Sequence, residues 1–340
     1  MIHTLKQPWG LLQYNASTHT FSISSQRSVP ADPYVDKPVV LNLDLTMRCN
    51  MRCPHCVAKA MRALLGNDEA GDLHISKSLM KSINESPFLL IVVTGGECLL
   101  PECESSLLCL IDGLKDKGII IDTNGTIVPS RKMLSAFKKH EVMVRISWDS
   151  LTPQYECELR PYPLNLFDSA DGYLKAKTDL IRHLIRKGIA VAVQTVVHKK
   201  NLGQPYVKEF PRILKGLGVR HWSVQRFIPT SSAKLNKTYL IDSNRDYENF
   251  LNLLAKECSG LGITLGAKCD RRHNSVFLLA GDADLFTQSD DGSGRKVWLG
   301  KFTEIVKSDS FFEFVSSSEH ANRYYMLGEQ RQKNRKGKKR

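Results

Sequence analysis

The chain has 340 residues, of which 42% are hydrophobic and 24% are charged. This composition excludes disordered and fibrous proteins and allows one large domain with a smaller appendage. No apolar run reaches the roughly 20 residues that cross a bilayer, and the N-terminus lacks the apolar segment of a signal peptide. We therefore expect a cytoplasmic protein without membrane contact. Nine cysteines in such a chain indicate metal binding, redox chemistry or reduced thiols rather than disulfides.

The net charge of +13 is concentrated at one end of the chain. The last ten residues, 331–340, contain seven lysines and arginines and no acidic residue, which leaves +6 for the rest. Such a tail is typically solvated, and nucleic acid bound through it is an open alternative. The charge of the remaining chain suits a negatively charged ligand.

The predicted elements, taken in chain order, favour an α/β barrel. Residues 1–37 are polar and turn-rich, with one expected strand at 21–24, and we interpret them as a lead-in. From residue 39, short β-branched runs alternate with longer amphipathic runs, as in βα units with a parallel sheet. The predicted strands are 39–45, 89–94, 119–122, 142–147, 189–197 and 219–225. The predicted helices are 54–65, 77–84, 104–115, 130–139, 172–186 and 207–215. Six units favour an open, TIM-like partial (β/α)6 barrel over a Rossmann sheet.

Gly188 and Gly216 are predicted to end the last two barrel helices, because helix C-termini prefer glycine.

After residue 229 the alternation weakens and a smaller module begins. A helix at 245–258 follows, and then strands at 282–286 and 296–299 joined by an Asp-Gly turn at 290–294. We therefore divide the chain into a lead-in (1–37), a barrel (38–229), a C-terminal α+β module (230–325) and a basic tail (326–340).

Cys49, Cys53 and Cys56 form a C-x3-C-x2-C motif directly after the first barrel strand. Three thiolates on one loop can bind three irons of a 4Fe-4S cubane, because cysteine sulfur is the usual cluster ligand. The fourth iron is then open to chelation by the amine and carboxylate of S-adenosylmethionine (SAM). Two alternatives stay open: a zinc site with a fourth ligand such as His55, and a chance group of buried thiols.

This motif resembles the signature of the radical SAM superfamily, a cysteine loop after the first strand of a partial (β/α)6 barrel. The resemblance covers about residues 39–229. Segment 94–97 resembles the family's GGE motif, the turn at 122–125 its TNG turn, and segment 146–150 its SAM-binding segment after the fourth strand. Cys98 stands where the family often has proline. The resemblance implies one 4Fe-4S cluster, SAM, and an external electron donor such as flavodoxin or ferredoxin.

The resemblance also implies which residues bind SAM. Glu97 would pair with its amino group and Arg160 with its carboxylate. The implied set is His55, Gly95, Gly96, Glu97, Asn124, Ser147, Asp149, Arg160, Gln194 and Val197. Most of these residues follow the carboxyl ends of predicted strands, where barrel enzymes place their chemistry.

The remaining cysteines bear on a second cluster. The C-terminal module resembles in outline the SPASM or twitch modules in which relatives hold auxiliary clusters. Beyond Cys258 and Cys269 it has no cysteine and no C-x2-C pair, so we expect a degenerate module without an auxiliary cluster. Cys98, Cys103 and Cys109 are predicted to be buried around a helix.

The function that the resemblance implies is reductive cleavage of SAM to methionine and a 5′-deoxyadenosyl radical, which removes a hydrogen atom from a substrate. A SPASM-like module implies a peptide or protein substrate. One alternative is an enzyme that modifies nucleotides or RNA, which the basic charge favours. Another is a cluster-containing sensor that does not turn over SAM. No catalytic protein residue is assigned beyond the cluster site.

Overall fold

The computed structural model describes residues 1–7, 10–24, 39–56, 72–163, 165–227, 237–268, 277–288, 296–308 and 311. The strands there are β1 (Ile2–Gln7), β2 (Gly10–Asn15), β3 (Thr20–Ser24), β4 (Val40–Thr46), β5 (Leu90–Gly95), β6 (Gly118–Thr123), β7 (Met143–Ser147), β8 (Ala190–Val197), β9 (His221–Arg226), β10 (Thr264–Lys268), β11 (Phe277–Ala280), β12 (Asp284–Gln288) and β13 (Lys296–Lys301). The helices are α1 (Lys77–Glu85), α2 (Glu104–Gly113), α3 (Arg131–Lys139), α4 (Pro153–Leu159), α5 (Ala170–Arg186), α6 (Gln204–Leu217), α7 (Asn244–Leu261) and α8 (Phe302–Ile305).

The main sheet has the order β10-β9-β8-β7-β6-β5-β4-β11-β12-β13. Every neighbouring pair from β10 to β11 is parallel. The six predicted barrel strands are β4 to β9, and each begins and ends within two residues of its expected bounds. The predicted helix at 54–65 lies outside the described residues, except for residues 54–56, which form a turn.

The C-terminal region continues the barrel sheet at both of its edges. Strand β10 adds to β9 and β11 adds to β4, both in parallel, and β12 and β13 extend the sheet as antiparallel strands. Strands β12 and β13 confirm the predicted pair at 282–286 and 296–299, although the turn between them lies outside the described residues. The sequence pattern missed β10 and β11, and the division at residue 230 remains a prediction.

The N-terminal lead-in contains a three-stranded antiparallel sheet in the order β1-β2-β3. Only β3 is predicted from the sequence. Leu12 and Tyr14 are buried with Val40 and Leu90, near the amino ends of β4 and β5. A Cβ atom on Gly118 would lie 2.1 Å from Tyr14 Cε1, so the barrel strand needs glycine where this ring packs. The lead-in therefore covers the amino end of the barrel.

Two helix ends test the use of glycine as a stop signal. Gly188 follows α5 with φ +76°, as predicted. The prediction for Gly216 is wrong, because this residue lies inside α6, and Gly218 ends the helix in the left-handed region at φ +86°. The Gly218 N–H donates to Leu214 O and Lys215 O. Only the second of two closely spaced glycines takes the positive φ that favours glycine.

Alternate residues along each barrel strand face opposite sides. Leu41, Leu43, Ile91 and Val93 pack toward the helices in a large core, where burial of each such side chain contributes about 1.5–3 kcal/mol. Residues between them face the barrel interior. Among the described residues, no helix has the length and apolar character that a membrane span requires.

Candidate active site

The three cysteines of the motif lie in the loop that follows β4, at the carboxyl end of the parallel strands. Cys53 is buried, whereas Cys49 and Cys56 are half-buried. Cys53 packs with Tyr173, and the other two cysteines lie against the same group. The Cys56 N–H donates to Cys53 O at 3.2 Å and turns the loop. The three predicted ligands therefore share one partly apolar environment.

The surroundings of these thiols fit an iron-sulfur cluster. Cys49 Sγ accepts a hydrogen bond from Met51 N–H at 3.4 Å, and Asn124 Nδ2 lies 3.9 Å from the same sulfur. Such N–H···S contacts are typical of cluster thiolates. Burial raises the pKa of Cys53 to about 12 and also raises that of Cys49, so bound metal would be needed to hold them as thiolates.

In the described part of the chain, no three His, Cys, Asp or Glu side chains converge as they would on one ion. A cubane does not need that convergence, because each thiolate bonds to a different iron.

Gly95 and Gly96 let the end of β5 pass close to the segment that enters the cysteine loop. A Cβ atom on Gly95 would lie 2.3 Å from Thr46 O, and one on Gly96 would lie 1.9 Å from Arg48 O. The Gly96 N–H donates to Thr46 O at 2.6 Å, and the Glu97 N–H donates to Arg48 O at 2.8 Å. The GGE motif thus fixes the entry to the cysteine loop, and contact of its glycines with SAM remains a prediction.

Glu97 links the ends of β5 and β6 from a completely buried position. Its carboxylate accepts hydrogen bonds from Leu99 N–H at 3.0 Å, Thr123 Oγ1 at 2.9 Å and Asn124 N–H at 2.7 Å. Burial raises the pKa of Glu97 to about 7, although the three donors favour the charged form. Its pairing with the SAM ammonium group remains a prediction.

Asn124 connects this network to the first half of the cysteine loop. Its Nδ2 donates to Asn50 Oδ1 at 2.8 Å, and its Oδ1 accepts from the Thr126 hydroxyl at 2.6 Å. Asn50 Nδ2 in turn donates to Thr126 Oγ1 at 2.9 Å. The side chain of Asn124 therefore does more than stabilise its own turn, since it also holds Asn50 beside Cys49.

A second network holds the other half of the loop. Asp149 Oδ2 lies 2.7 Å from Arg160 Nε and 3.1 Å from His55 Nε2, and Oδ1 accepts from Val196 N–H at 2.7 Å. Burial by itself would raise the pKa of Asp149, but Arg160 and His55 outweigh it and hold the pKa well below its usual range. Three of the predicted SAM-binding residues thus contact one another.

The remaining predicted residues lie on β7 and β8. Ser147 and Gln194 are paired across these strands. Gln194 Oε1 is buried and has no hydrogen-bond partner among the described residues, so a bound ligand with a donor group would fit there. Val197 packs in the helix-facing core. The structure therefore brings Gln194, but not the side chain of Val197, toward the barrel interior.

Sequence reasoning missed the completely buried ion pair of Glu156 and Lys177. Glu156 Oε2 accepts from the N–H groups of Asp149 at 2.9 Å and Ser150 at 2.7 Å. Lys177 Nζ donates to Ser147 O at 2.9 Å. Lys177 stands on the face of α5 that buries Tyr173, Leu180, Ile181 and Leu184. A charge on an apolar helix face is the signal that could have identified it.

Known proteins resemble this chain over much of its length, although no family model matches. The antilisterial bacteriocin subtilosin biosynthesis protein AlbA of Bacillus subtilis is 25% identical over 210 residues, which are 61% of this chain and 42% of AlbA. The GTP 3′,8-cyclase of Aquifex aeolicus is 26% identical over 229 residues, which are 64% of each chain. The chain thus spans less than two thirds of the length of both relatives.

The fold has a solved counterpart in SuiB of Streptococcus suis. SuiB bound to its precursor peptide SuiA matches with a TM-score of 0.62 and 11% identity over 93% of this chain and 89% of SuiB. SuiB bound to SAM matches with a TM-score of 0.60 and 12% identity over the same shares. In sequence and in fold, the chain is similar to radical SAM enzymes. It has the partial-barrel fold that its sequence predicts, and this similarity implies a 4Fe-4S cluster and SAM as cofactors.

Proposed function

We propose that this chain cleaves SAM reductively at a 4Fe-4S cluster held by Cys49, Cys53 and Cys56 and acts on a peptide or protein. When bound, the cluster supplies the electron that splits SAM into methionine and a 5′-deoxyadenosyl radical, which takes a hydrogen atom from the substrate. An external donor such as flavodoxin or ferredoxin would return the electron. The observation that carries the proposal is the attachment of the cysteine loop to the ends of three parallel strands through Glu97, Asn124 and Asp149.

The chain's own residues orient the reactants and exclude water. The N-terminal sheet covers the amino end of the barrel, so SAM would enter from the opposite end, beside the cysteine loop. Gln194 offers an acceptor in the interior. Arg145 and Asp122 form a two-bonded ion pair there, at 2.6 and 2.7 Å, and this pair keeps the lining polar without a net charge.

Two similarities support a peptide or protein as the substrate. AlbA is a biosynthesis protein for the bacteriocin subtilosin, and the SuiB structure with the same fold holds a precursor peptide. Among the strands that the structure describes, β13 is the last one at its edge of the sheet, and Trp298 on it is 60% exposed. An extended peptide can add to such an edge through backbone hydrogen bonds.

A nucleotide or RNA substrate is the second candidate, favoured by the similarity to GTP 3′,8-cyclase and by the basic tail. To distinguish the peptide from the RNA candidate, transfer RNA is added to the full chain and to a chain lacking residues 331–340, and RNA binding and SAM cleavage are measured. We expect salt-sensitive binding that disappears with the tail, without any increase in SAM cleavage. RNA that accelerates SAM cleavage would favour the second candidate.

The test of the proposed activity is the formation of 5′-deoxyadenosine. The chain is reconstituted with iron and sulfide without oxygen, reduced with dithionite in the presence of SAM, and the products are measured by mass spectrometry. We expect 5′-deoxyadenosine and methionine from the wild type, none from Cys53→Ala, and a wild-type yield from Cys109→Ala. Cys109 lies outside the motif and is exposed, contrary to its predicted burial. A chain that binds the cluster without forming 5′-deoxyadenosine would instead be a sensor.

A further inference from the structure

We propose that Asp149 is a positioning residue for the cluster-binding loop, that it acts through His55, and that it does not bind SAM directly. The proposal concerns the site of the proposed function and rests on that function only for the presence of the cluster. The contacts from which it is argued are all between residues of this chain.

Both carboxylate oxygens of Asp149 are already engaged. Oδ1 accepts from Val196 N–H at 2.7 Å, and Oδ2 lies between Arg160 Nε at 2.7 Å and His55 Nε2 at 3.1 Å. The Asp149 side chain is 0% exposed, and that of His55 is 3% exposed. A SAM hydroxyl would have to break the Val196 hydrogen bond to reach Oδ1, and the loss of a buried hydrogen bond is costly. At Oδ2 it would have to move Arg160 or His55, which lie at ion-pair distance without forming a hydrogen bond to this oxygen.

The backbone of Asp149 is also fixed. Its N–H donates to Glu156 Oε2 at 2.9 Å, and its carbonyl oxygen accepts from Asn201 Nδ2 at 3.2 Å. A group held at its backbone and at both carboxylate oxygens has little freedom to move toward a ligand. It is instead a rigid anchor for whatever contacts it.

The group that it anchors is the cysteine loop. His55 lies between Cys53 and Cys56 in the sequence, and its Nε2 contact with Asp149 fixes the ring and the adjacent backbone. Arg160 Nε lies 2.7 Å from Asp149 Oδ2, so its positive charge neutralises that of the buried carboxylate. A carboxylate that orients a side chain beside the metal ligands is a common outer-shell arrangement around metal sites.

The experiment uses the full chain as Asp149→Asn, His55→Phe and the double variant. His55→Gln is the conservative variant, since its side-chain N–H can take the place of Nε2. Asp112→Asn and His140→Phe are the matched controls, because His140 Nε2 and Asp112 Oδ1 form a similar pair at 2.8 Å near the surface. Circular dichroism establishes that each variant is folded.

The first readout needs no cluster. In the metal-free chain, the alkylation rate of Cys53 by iodoacetamide is followed by peptide mass spectrometry. We expect Asp149→Asn and His55→Phe to raise this rate by the same factor, and the double variant to raise it no further. The matched controls leave the rate unchanged, and His55→Gln restores most of the protection. Equal rates in wild type and Asp149→Asn, or effects of the two substitutions that multiply, would overturn the proposal.

The second readout concerns the reconstituted cluster. Loss of iron to a chelator should be on the order of tenfold faster in Asp149→Asn and His55→Phe, as for other outer-shell residues. The electron paramagnetic resonance spectrum of the reduced cluster should change alike in both variants and stay of wild-type form in His55→Gln. A cluster that is unaltered in Asp149→Asn, with only SAM binding weakened, would show Asp149 to be a SAM ligand. If the wild type assembles no cluster, the proposed function fails, whereas the alkylation result still decides this inference.

Discussion

Glu156 and Lys177 form an ion pair in which both side chains are completely buried. Removal of one partner leaves an uncompensated charge in the interior, so we expect Lys177→Met to lower the free energy of unfolding by about 3–5 kcal/mol. Urea denaturation of the metal-free chain measures this loss. Lys175→Met on the same helix is the control, because Lys175 pairs with Asp179 in solvent and such pairs contribute little. Equal effects of the two substitutions would contradict the structural role of the buried pair.

Glu97→Gln tests whether the GGE carboxylate holds Asn124. Both carboxylate oxygens of Glu97 accept hydrogen bonds, from three donors in all. Glutamine replaces one of these oxygens by an NH2 group, which cannot accept, so at least one buried donor loses its partner. We expect a loss of about 1–3 kcal/mol in the free energy of unfolding, measured by urea denaturation. Glu102→Gln, at an exposed position, should change it little. If Glu97→Gln is neutral for stability but abolishes SAM binding, the carboxylate serves SAM rather than the fold.

His198 predicts a dependence of stability on pH. Burial lowers its pKa from 6.5 to about 4. Since the unfolded chain takes up the proton first as the pH falls, the contribution of His198 is fully present above about pH 6.5 and is lost toward pH 4. The expected loss is about 3 kcal/mol. In His198→Asn the side-chain oxygen can still accept the Lys200 N–H, so the curve of stability against pH should flatten in this range. If the curves of stability against pH for the wild type and His198→Asn are parallel, His198 is not buried in the neutral form.

Two glycines should respond to alanine in opposite directions. In Gly118→Ala the added methyl group meets the Tyr14 ring at 2.1 Å, and overpacking of this kind costs about 1–3 kcal/mol. Gly216 has nothing within 4 Å of an added Cβ atom and lies inside α6, so Gly216→Ala should stabilise the chain by up to about 1 kcal/mol. Thermal or urea denaturation measures both. A neutral Gly118→Ala would mean that the N-terminal sheet does not pack on the barrel.

The sequence predicts the barrel strands well because their runs are apolar and are bounded by turn residues, as in 89–94, which Gly95 and Gly96 follow. It misses β10, since Gly266 and Lys268 give that strand little hydrophobic pattern. The candidate site residues are predicted from spacing and resemblance, whereas the contacts between them are visible only in the structure. Whether Asp149 faces SAM or His55 depends on the angle at which neighbouring strands end, and this is a property of the folded sheet. The interior position of Lys177 becomes clear only when Glu156 is found beside it.

The central claim is that Cys49, Cys53 and Cys56 hold one 4Fe-4S cluster, and the count of iron and sulfide per chain tests it most directly. The measurement is made after anaerobic reconstitution, on the wild type and on the variant with alanine at all three positions. We predict about four irons and four sulfides per wild-type chain, as for a single cubane, and none in the variant. Bound zinc with no sulfide in the wild type, or retention of the iron by the variant, would contradict the claim.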